Sequence, residues 1–452
     1  MARKKKKFLI RFTPPQVLAL GILTIIIIGS VLLSLPAATV SGRPLAFLNA
    51  FFTATSAATV TGLTVVNTGA EFSLFGQLVI LALVQVGGLG FMTMATLIAL
   101  VLRKKISLRE RLLLQEAMNQ SSVEGIVRLI RKVLTYALII ELTGAVLFAI
   151  RWSFDMPLGK AIYFGVFHSI SIFNNAGFDL FGGIPDSKGS LMEYVHDPFI
   201  NIVAITLIIL GGIGFIVMVD LLDYKETRRL SLHSKVVLSA TGLLILLGSI
   251  VIFIFEFTNP NTLQPLSFTS KLYASFFQSA TTRSAGVNTI DIESMRQATQ
   301  FFIIILMFIG AAPGSAGGGI KITTFAILVG AVYAMSRGKE EIVFFRKRLA
   351  KDRLYKATTL TLLALFLIIV GTMALSVFER APFLIIMFEI TSAFGTAGMS
   401  LGLTSELSVP GKMLMTVLMF IGRLGPLTLA YALTPKGGKE LYRYPEGKIT
   451  IG

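Results

Sequence analysis

The chain has 452 residues, 54% of them hydrophobic and only 14% charged, and its mean hydropathy is +0.78. That is more apolar side chain than one soluble core of this size can bury, so lipid must solvate much of it and soluble enzyme classes are excluded. The chain contains no cysteine and three histidines, which removes disulfides, thiolate metal sites and thiol catalysis and argues against a histidine-rich metal site.

The net charge of +17 is concentrated: thirty of the 41 Lys and Arg lie in residues 1–12, 103–132, 225–235, 337–356 and beyond 434. By the positive-inside rule these segments are cytoplasmic, which puts both termini inside and makes the chain cross and return between them. Basic clusters facing anionic headgroups account for the charge without a nucleic-acid partner.

The Lys-rich start leads into an apolar run over residues 17–35. The run is too long for a signal peptide and flows into a pattern that recurs, so it reads as a retained first helix. Residues 45–58 are too short to cross and read as a re-entrant helix, whereas 78–102 is about long enough for a hydrocarbon core of roughly 30 Å at 1.5 Å per residue. The same order returns downstream, with a short segment at 160–173 and a crossing run at 199–222.

Four copies of one arrangement follow from this self-similarity: a helix, a short segment ending near a glycine, and a second helix. The glycine segments are SAATVTGLTV (56–65), SIFNNAGFDL (171–180), SATTRSAGVN (279–288) and TSAFGTAGMS (391–400). They align Gly62, Gly177, Gly286 and Gly398 at separations of 115, 109 and 112 residues. The second helices echo the pattern in VGGLGF, LGGIGF, FIGAAPG and FIGRLGP, with Gly87, Gly211, Gly310 and Gly422 equivalent and offsets of 25, 34, 24 and 24. The longer second offset places an insertion in the polar stretch 182–197. The fold expected is an all-α polytopic membrane protein of eight spans around one central pore. Its repeats cover 1–103, 104–223, 224–336 and 337–452, with an intramembrane loop at 310–321.

Irregular backbone at membrane depth survives only where protein buries it or it lines a water-filled cavity. Glycine reaches positive φ at little cost, so successive carbonyls can point one way, and such oxygens can replace the water shell of an alkali cation. The competing role for these glycines is close helix packing, but each one follows a short segment instead of lying on a crossing helix.

The second helix of the third repeat contains APGSAGGGIK (312–321), five of whose first eight residues are glycine or proline. Glycine costs about 1 kcal/mol and proline about 3 inside a helix, so this stretch is expected to be a loop. A Walker A reading fails, because Ile320 separates Gly319 from Lys321. Arg423 sits at membrane depth, where a charge marks function by default, and is expected to donate to carbonyls of that loop. A structural arginine satisfied by helix ends is the alternative. Glu389 and Arg283 are expected to pair and brace adjacent loops, with Asn174 and Asn175 in the same scaffold. His168 reads as a packing residue, and Glu141 has no partner visible in sequence. A protease using Ser315 would need a base, and no histidine lies on a nearby span.

With these motifs the chain resembles the Trk, Ktr and HKT cation transporter superfamily, and as a whole the Ktr membrane subunit. The likeness runs from RFTPPQVLALG (11–21) through TVTGL, NNAGF, SAFGTAG and GKMLM to MFIGRLGPLT (419–428). Trk subunits carry an extra N-terminal helix pair, whereas the first repeat here starts almost at Met1.

The resemblance implies a potassium uptake pore in the plasma membrane and no enzyme. Its filter would be Thr61 and Gly62, Ala176 and Gly177, Ala285 and Gly286, Ala397 and Gly398, with K+ as the transported ion. The gate would be Gly310, Ala311, Ala312, Pro313, Gly314, Ser315, Ala316, Gly317, Gly318, Gly319, Lys321 and Arg423. Family members with Ser at the first glycine tend to favour sodium, so Gly62 favours potassium, with Na+ as a candidate coupling ion. A sodium-translocating member of the superfamily is the rival. The implied partners are a second copy of the chain, as a homodimer, and a cytosolic ring of nucleotide-binding regulatory subunits (KtrA/KtrC type).

Overall fold

The computed structural model describes residues 13–90, 93, 94, 96, 97, 108–117, 125–185, 187–426 and 428. The basic N-terminal stretch 1–12, much of the second half of the run expected at 78–102, part of the first basic connection and the C-terminal segment therefore lie outside the described residues.

The elements repeat a long helix, a short helix, a loop and a second helix. The first set is α1 (Pro14–Leu33), α2 (Phe47–Thr59) and α3 (Leu74–Leu89), followed by a connecting helix α4 (Leu108–Ala117). The second is α5 (Ile126–Trp152), α6 (Leu158–Phe173), α7 (Pro198–Gly212) and α8 (Phe215–Leu222). The third is α9 (Leu232–Glu256), α10 (Phe268–Thr281), α11 (Gln297–Phe308) and α12 (Ile322–Ser336). A two-stranded hairpin, β1 (Val343–Phe344) and β2 (Lys347–Arg348), leads to α13 (Lys351–Phe378), α14 (Phe383–Gly395) and α15 (Val409–Leu424).

Among the described residues, α1, α5, α9 and α13 are each long and apolar enough to cross a membrane. Most of each long helix is not buried by protein, and side chains such as Ile28, Leu142, Leu246 and Phe366 are exposed, as a lipid-facing surface requires. The short helices behave oppositely: the last seven residues of α14, Glu389–Gly395, are all buried. The second helices start with side chains that accept the free amides of a helix N-terminus, Ser73 for α3, Asp197 for α7 and Ser408 for α15.

Two features depart from the sequence reading. The all-α expectation misses the hairpin at 343–348, where Phe345 and Arg346 both take positive φ, 46° and 62°, as a two-residue hairpin turn requires. The crossing run at 199–222 is also not one helix. It bends by 106° between α7 and the helical segment after it, because Gly214, the last glycine of LGGIGF, takes φ 88° and ends the helix. Gly90 and Gly425, three residues after Gly87 and Gly422, have φ 85° and 82° and close α3 and α15 in the same way. In the third set the break widens into the whole of 309–321.

Candidate functional site

The four short helices end in one local geometry. In each, the residue two before the aligned glycine has positive φ although it carries a side chain: Val60 at 58°, Asn175 at 56°, Ser284 at 136° and Thr396 at 48°. Such a conformation costs about 1–2 kcal/mol per residue, most for a β-branched valine, and strain of this kind persists where the surroundings impose it. Three of the ends carry the same i→i−5 backbone bond. Thr61, Ala176 and Ala397 donate to Ser56, Ser171 and Ser392 at 2.8, 2.8 and 2.9 Å, turning the chain sharply out of the helix. Side chains hold the exit: Gly62 N–H donates to Ser56 Oγ at 3.1 Å, and the hydroxyls of Ser171 and Thr281 donate to the carbonyls of Phe178 and Val287, each at 2.7 Å.

The glycines that follow have φ of 91°, 70°, 70° and 75°, and they form a closed circle. A Cβ at Gly62 would collide with the Ala176 carbonyl, one at Gly177 would lie 3.0 Å from the Ala285 carbonyl, and one at Gly286 3.1 Å from that of Ala397. A Cβ at Gly398 would strike the Thr61 carbonyl and return to the start. A side chain at any of the four would be strained by the positive φ and would press on the next loop's carbonyl, and four backbone carbonyls from four loops are brought side by side.

The glycines of the second helices have a different task. A Cβ at Gly87, Gly211 or Gly422 would run into the carbonyl of Ala58, Phe173 or Phe394, each four residues before the loop glycine. These small residues seat the second helices against the ends of the short ones. At Gly310 the obstacle is the Gly318 carbonyl.

The stretch from Gly310 to Lys321 is pinned on several sides. Ala312 N–H donates to the Gly212 carbonyl at 3.0 Å, and Phe215 N–H to that of Gly314 at 2.9 Å, so the loop is stitched to the bend of the second set. Gly318 N–H donates to Thr396 Oγ1 at 2.7 Å, while Ser284 Oγ donates to the Thr396 carbonyl at 3.2 Å. Thr396 thus links the loop to the third and fourth glycine segments. Lys321 Nζ donates to the Gly317 carbonyl at 2.5 Å. Ser315 bonds into its own turn, to the Ala312 carbonyl at 2.6 Å, which is not the setting of an activated nucleophile.

Arg423 comes from the end of α15. Its guanidinium donates to the carbonyl of Ala316 in the loop and to that of Gly87, with Gly88 at 3.3 Å. Loop contact and helix-end contact are both made. The loop and Arg423 border a cavity of about 650 Å³ that also reaches Lys321, Arg353 and Lys356; among the described residues no carboxylate lines it.

The expected Glu389–Arg283 pair does not form. Glu389 instead accepts from Ser400 Oγ at 2.6 Å, Leu401 N–H at 2.8 Å and Thr404 Oγ1 at 2.6 Å, all just beyond Gly398. These local donors satisfy it without a cation. Arg283 lies beside Asn175, Thr241 and Ala311 around a void of about 10 Å³. Asn174 does not join either group. Its Nδ2 donates to Gln85 Oε1 and Glu141 Oε1 at 2.9 and 3.0 Å, and Gln85 Nε2 reaches both Glu141 oxygens, so Glu141 has the partners its sequence context hid. His168 packs edge-on against Trp152 and also accepts the Leu180 N–H at 3.3 Å. Sequence reasoning missed Thr396 and Gln85. Gln85, an amide inside an apolar run two residues before Gly87, carried a readable signal; Thr396 carried none.

The chain matches the TrkH family, described as cation transport protein, over residues 21–438. It belongs to that family. Within it, the chain is 46% identical over 443 residues to the Ktr system potassium uptake protein B of Bacillus subtilis, covering 98% of each chain. It is 39% identical over 458 residues to the potassium/sodium uptake protein NtpJ of Enterococcus hirae, covering 100% of each. The fold is that of the potassium transporter TrkH from Vibrio parahaemolyticus, whose crystal structure superposes with a TM-score of 0.74 at 18% identity, over 96% of this chain and 87% of that one. As a TrkH-family member the chain is a multi-pass membrane protein of the cation transporters.

Proposed function

We propose that this TrkH-family chain is the pore-forming subunit of a Ktr-type potassium uptake system of the plasma membrane, with both termini cytoplasmic. The observation that carries the reading is the closed circle of Gly62, Gly177, Gly286 and Gly398, each occupying the space beside the next loop's carbonyl. In it, the carbonyls of Thr61, Ala176, Ala285 and Ala397 take the place of water around a potassium ion. Each loop supplies a short run of carbonyls, so few ion positions are stacked. The segment 310–321 is the gate: it crosses the path below the circle, and Lys321 and Arg423 place positive charge where a cation must pass. The four repeats, 1–103, 104–223, 224–336 and 337–452, give eight spans around this path.

The 46% identical relative named as a Ktr system potassium uptake protein supports potassium as cargo. The relative named for potassium and sodium favours a second reading, in which sodium is a co-transported or stimulating ion. A homodimer on a cytosolic nucleotide-binding ring completes the system.

Rubidium-86 uptake in cells stripped of their own potassium uptake systems tests the reading, with the regulatory partner supplied and sodium-22 as control. Saturable rubidium entry, weakened by Gly62→Ser while sodium entry rises, is the expected result. Wild-type protein that carries sodium and ignores rubidium would refute it.

A further inference from the structure

A carboxyl group buried in the middle of a lipid-facing helix is costly, and nothing in the proposed pathway uses Glu141, which is 4% exposed. Its oxygens take Gln85 Nε2 at 3.0 and 2.9 Å and Asn174 Nδ2 at 3.0 Å. Asn174 Nδ2 also donates to Gln85 Oε1 at 2.9 Å. Three side chains, from α3, α5 and the end of α6, thereby close a triangle.

The surroundings are shaped to admit it. A Cβ at Gly88 would collide with the Asn174 amide, and Ser169 Oγ on α6 donates to the Glu141 carbonyl at 2.6 Å. Each long helix seats a glycine against its set's second helix, Gly29 on Leu83, Gly144 on Leu207, Gly248 on Leu306 and Gly371 on Leu418, and three residues before it stand Ile26, Glu141, Ile245 and Ile368, all buried. Helix packing at this level is therefore served by aliphatic residues, and the acid answers a need of the second loop alone.

Asn174 stands three residues before Gly177 and next to Asn175, where φ turns positive. Gln85 stands two residues before Gly87, whose carbonyl Arg423 grips together with that of Gly88. We propose that Glu141 is a positioning residue for ion selectivity, its two carboxyl oxygens fixing the second glycine loop through Asn174 and the Arg423-bound end of α3 through Gln85. The proposal rests on the reading of the glycine circle as the ion filter. A carboxyl suits the task because Oε1 accepts from both amides while Oε2 accepts from Gln85 Nε2 as well, whereas a glutamine would set its own amide donor against Gln85 Nε2 at the second position.

The test compares wild type, Glu141→Gln, and the swap Gln85→Glu with Glu141→Gln, for rubidium-86 against sodium-22 uptake with the regulatory partner present. Membrane abundance and thermal unfolding are measured alongside. Glu141→Gln should lower the rubidium-to-sodium ratio about fivefold, the value of roughly one hydrogen bond. The swap rebuilds the same donors and acceptors with the carboxyl on α3, and should bring the ratio back to within about twofold of wild type. A merely structural role would lower the uptake of both ions together with abundance and leave the ratio unchanged. A single variant as selective as wild type, or a swap no more selective than the single variant, overturns the inference alone. Wild-type protein that imports no rubidium overturns it together with the filter reading.

Discussion

His168 and Glu389 hold equivalent places in two different loops: each stands nine residues ahead of its glycine and accepts the backbone N–H three residues beyond it. Leu180 N–H reaches His168 Nε2 at 3.3 Å, and Leu401 N–H reaches Glu389 Oε1 at 2.8 Å. The body of the short helix thus ties down the far side of the loop it precedes. Glu389 also serves Ser400 and Thr404, so Glu389→Ala leaves three donors unmatched, two of them buried, and should cost roughly 3 kcal/mol. Thermal unfolding of the purified protein should show a clear drop in apparent Tm, larger than that of His168→Ala. An unchanged Tm for Glu389→Ala would mean that these bonds do not stabilise the loop.

Gly398 and Gly42 separate conformation from space. Both have positive φ, 75° and 67°, but only at Gly398 would a Cβ meet a neighbour, the Thr61 carbonyl. Gly42→Ala should cost about 1 kcal/mol of backbone strain and keep rubidium uptake, whereas Gly398→Ala should abolish uptake at normal abundance. Equal activity in the two variants would show that the close approach at the circle is dispensable.

Arg423 holds the loop carbonyl of Ala316 and two carbonyls of α3 with one guanidinium. Arg423→Gln removes the charge and part of the clamp, so the 310–321 segment should loosen. Rubidium entry without the regulatory partner should then rise several-fold, by the loss of roughly 1–2 kcal/mol of loop restraint. A variant that stays as closed as wild type at equal abundance would remove Arg423 from the gate.

Gly211 and Gly242 are both helical glycines. A Cβ at Gly211 would enter the Phe173 carbonyl, whereas one at Gly242 meets nothing within 4 Å. Gly211→Ala should therefore destabilise by roughly 1–3 kcal/mol through overpacking, and Gly242→Ala should be neutral or stabilise by up to about 1 kcal/mol. Detergent-solubilised unfolding curves of the two variants decide it, and the reverse order would show that the seat of α7 against α6 is loose.

The glycine period was readable because a close backbone approach accepts no other residue, so Gly62, Gly177, Gly286 and Gly398 stand out from sequence alone. The Gly/Pro density of 312–321 announced its loop for the same reason. The bend at Gly214 was hidden because LGGIGF looks like helix-packing glycines, and only the φ of the last one distinguishes breaking from packing. Side-chain partnerships were least legible. Glu389 finds its donors on its own loop instead of at Arg283, while Glu141 finds Gln85 and Asn174 from 56 and 33 residues away, and no spacing rule links such positions.

The most direct test of the central claim is to locate the ion. A crystal of the complex with its regulatory partner, grown or soaked in rubidium and measured at the rubidium absorption edge, should show an anomalous peak on the axis shared by the carbonyls of Thr61, Ala176, Ala285 and Ala397. Rubidium bound elsewhere along the path, with no peak at the four glycines, would contradict the account.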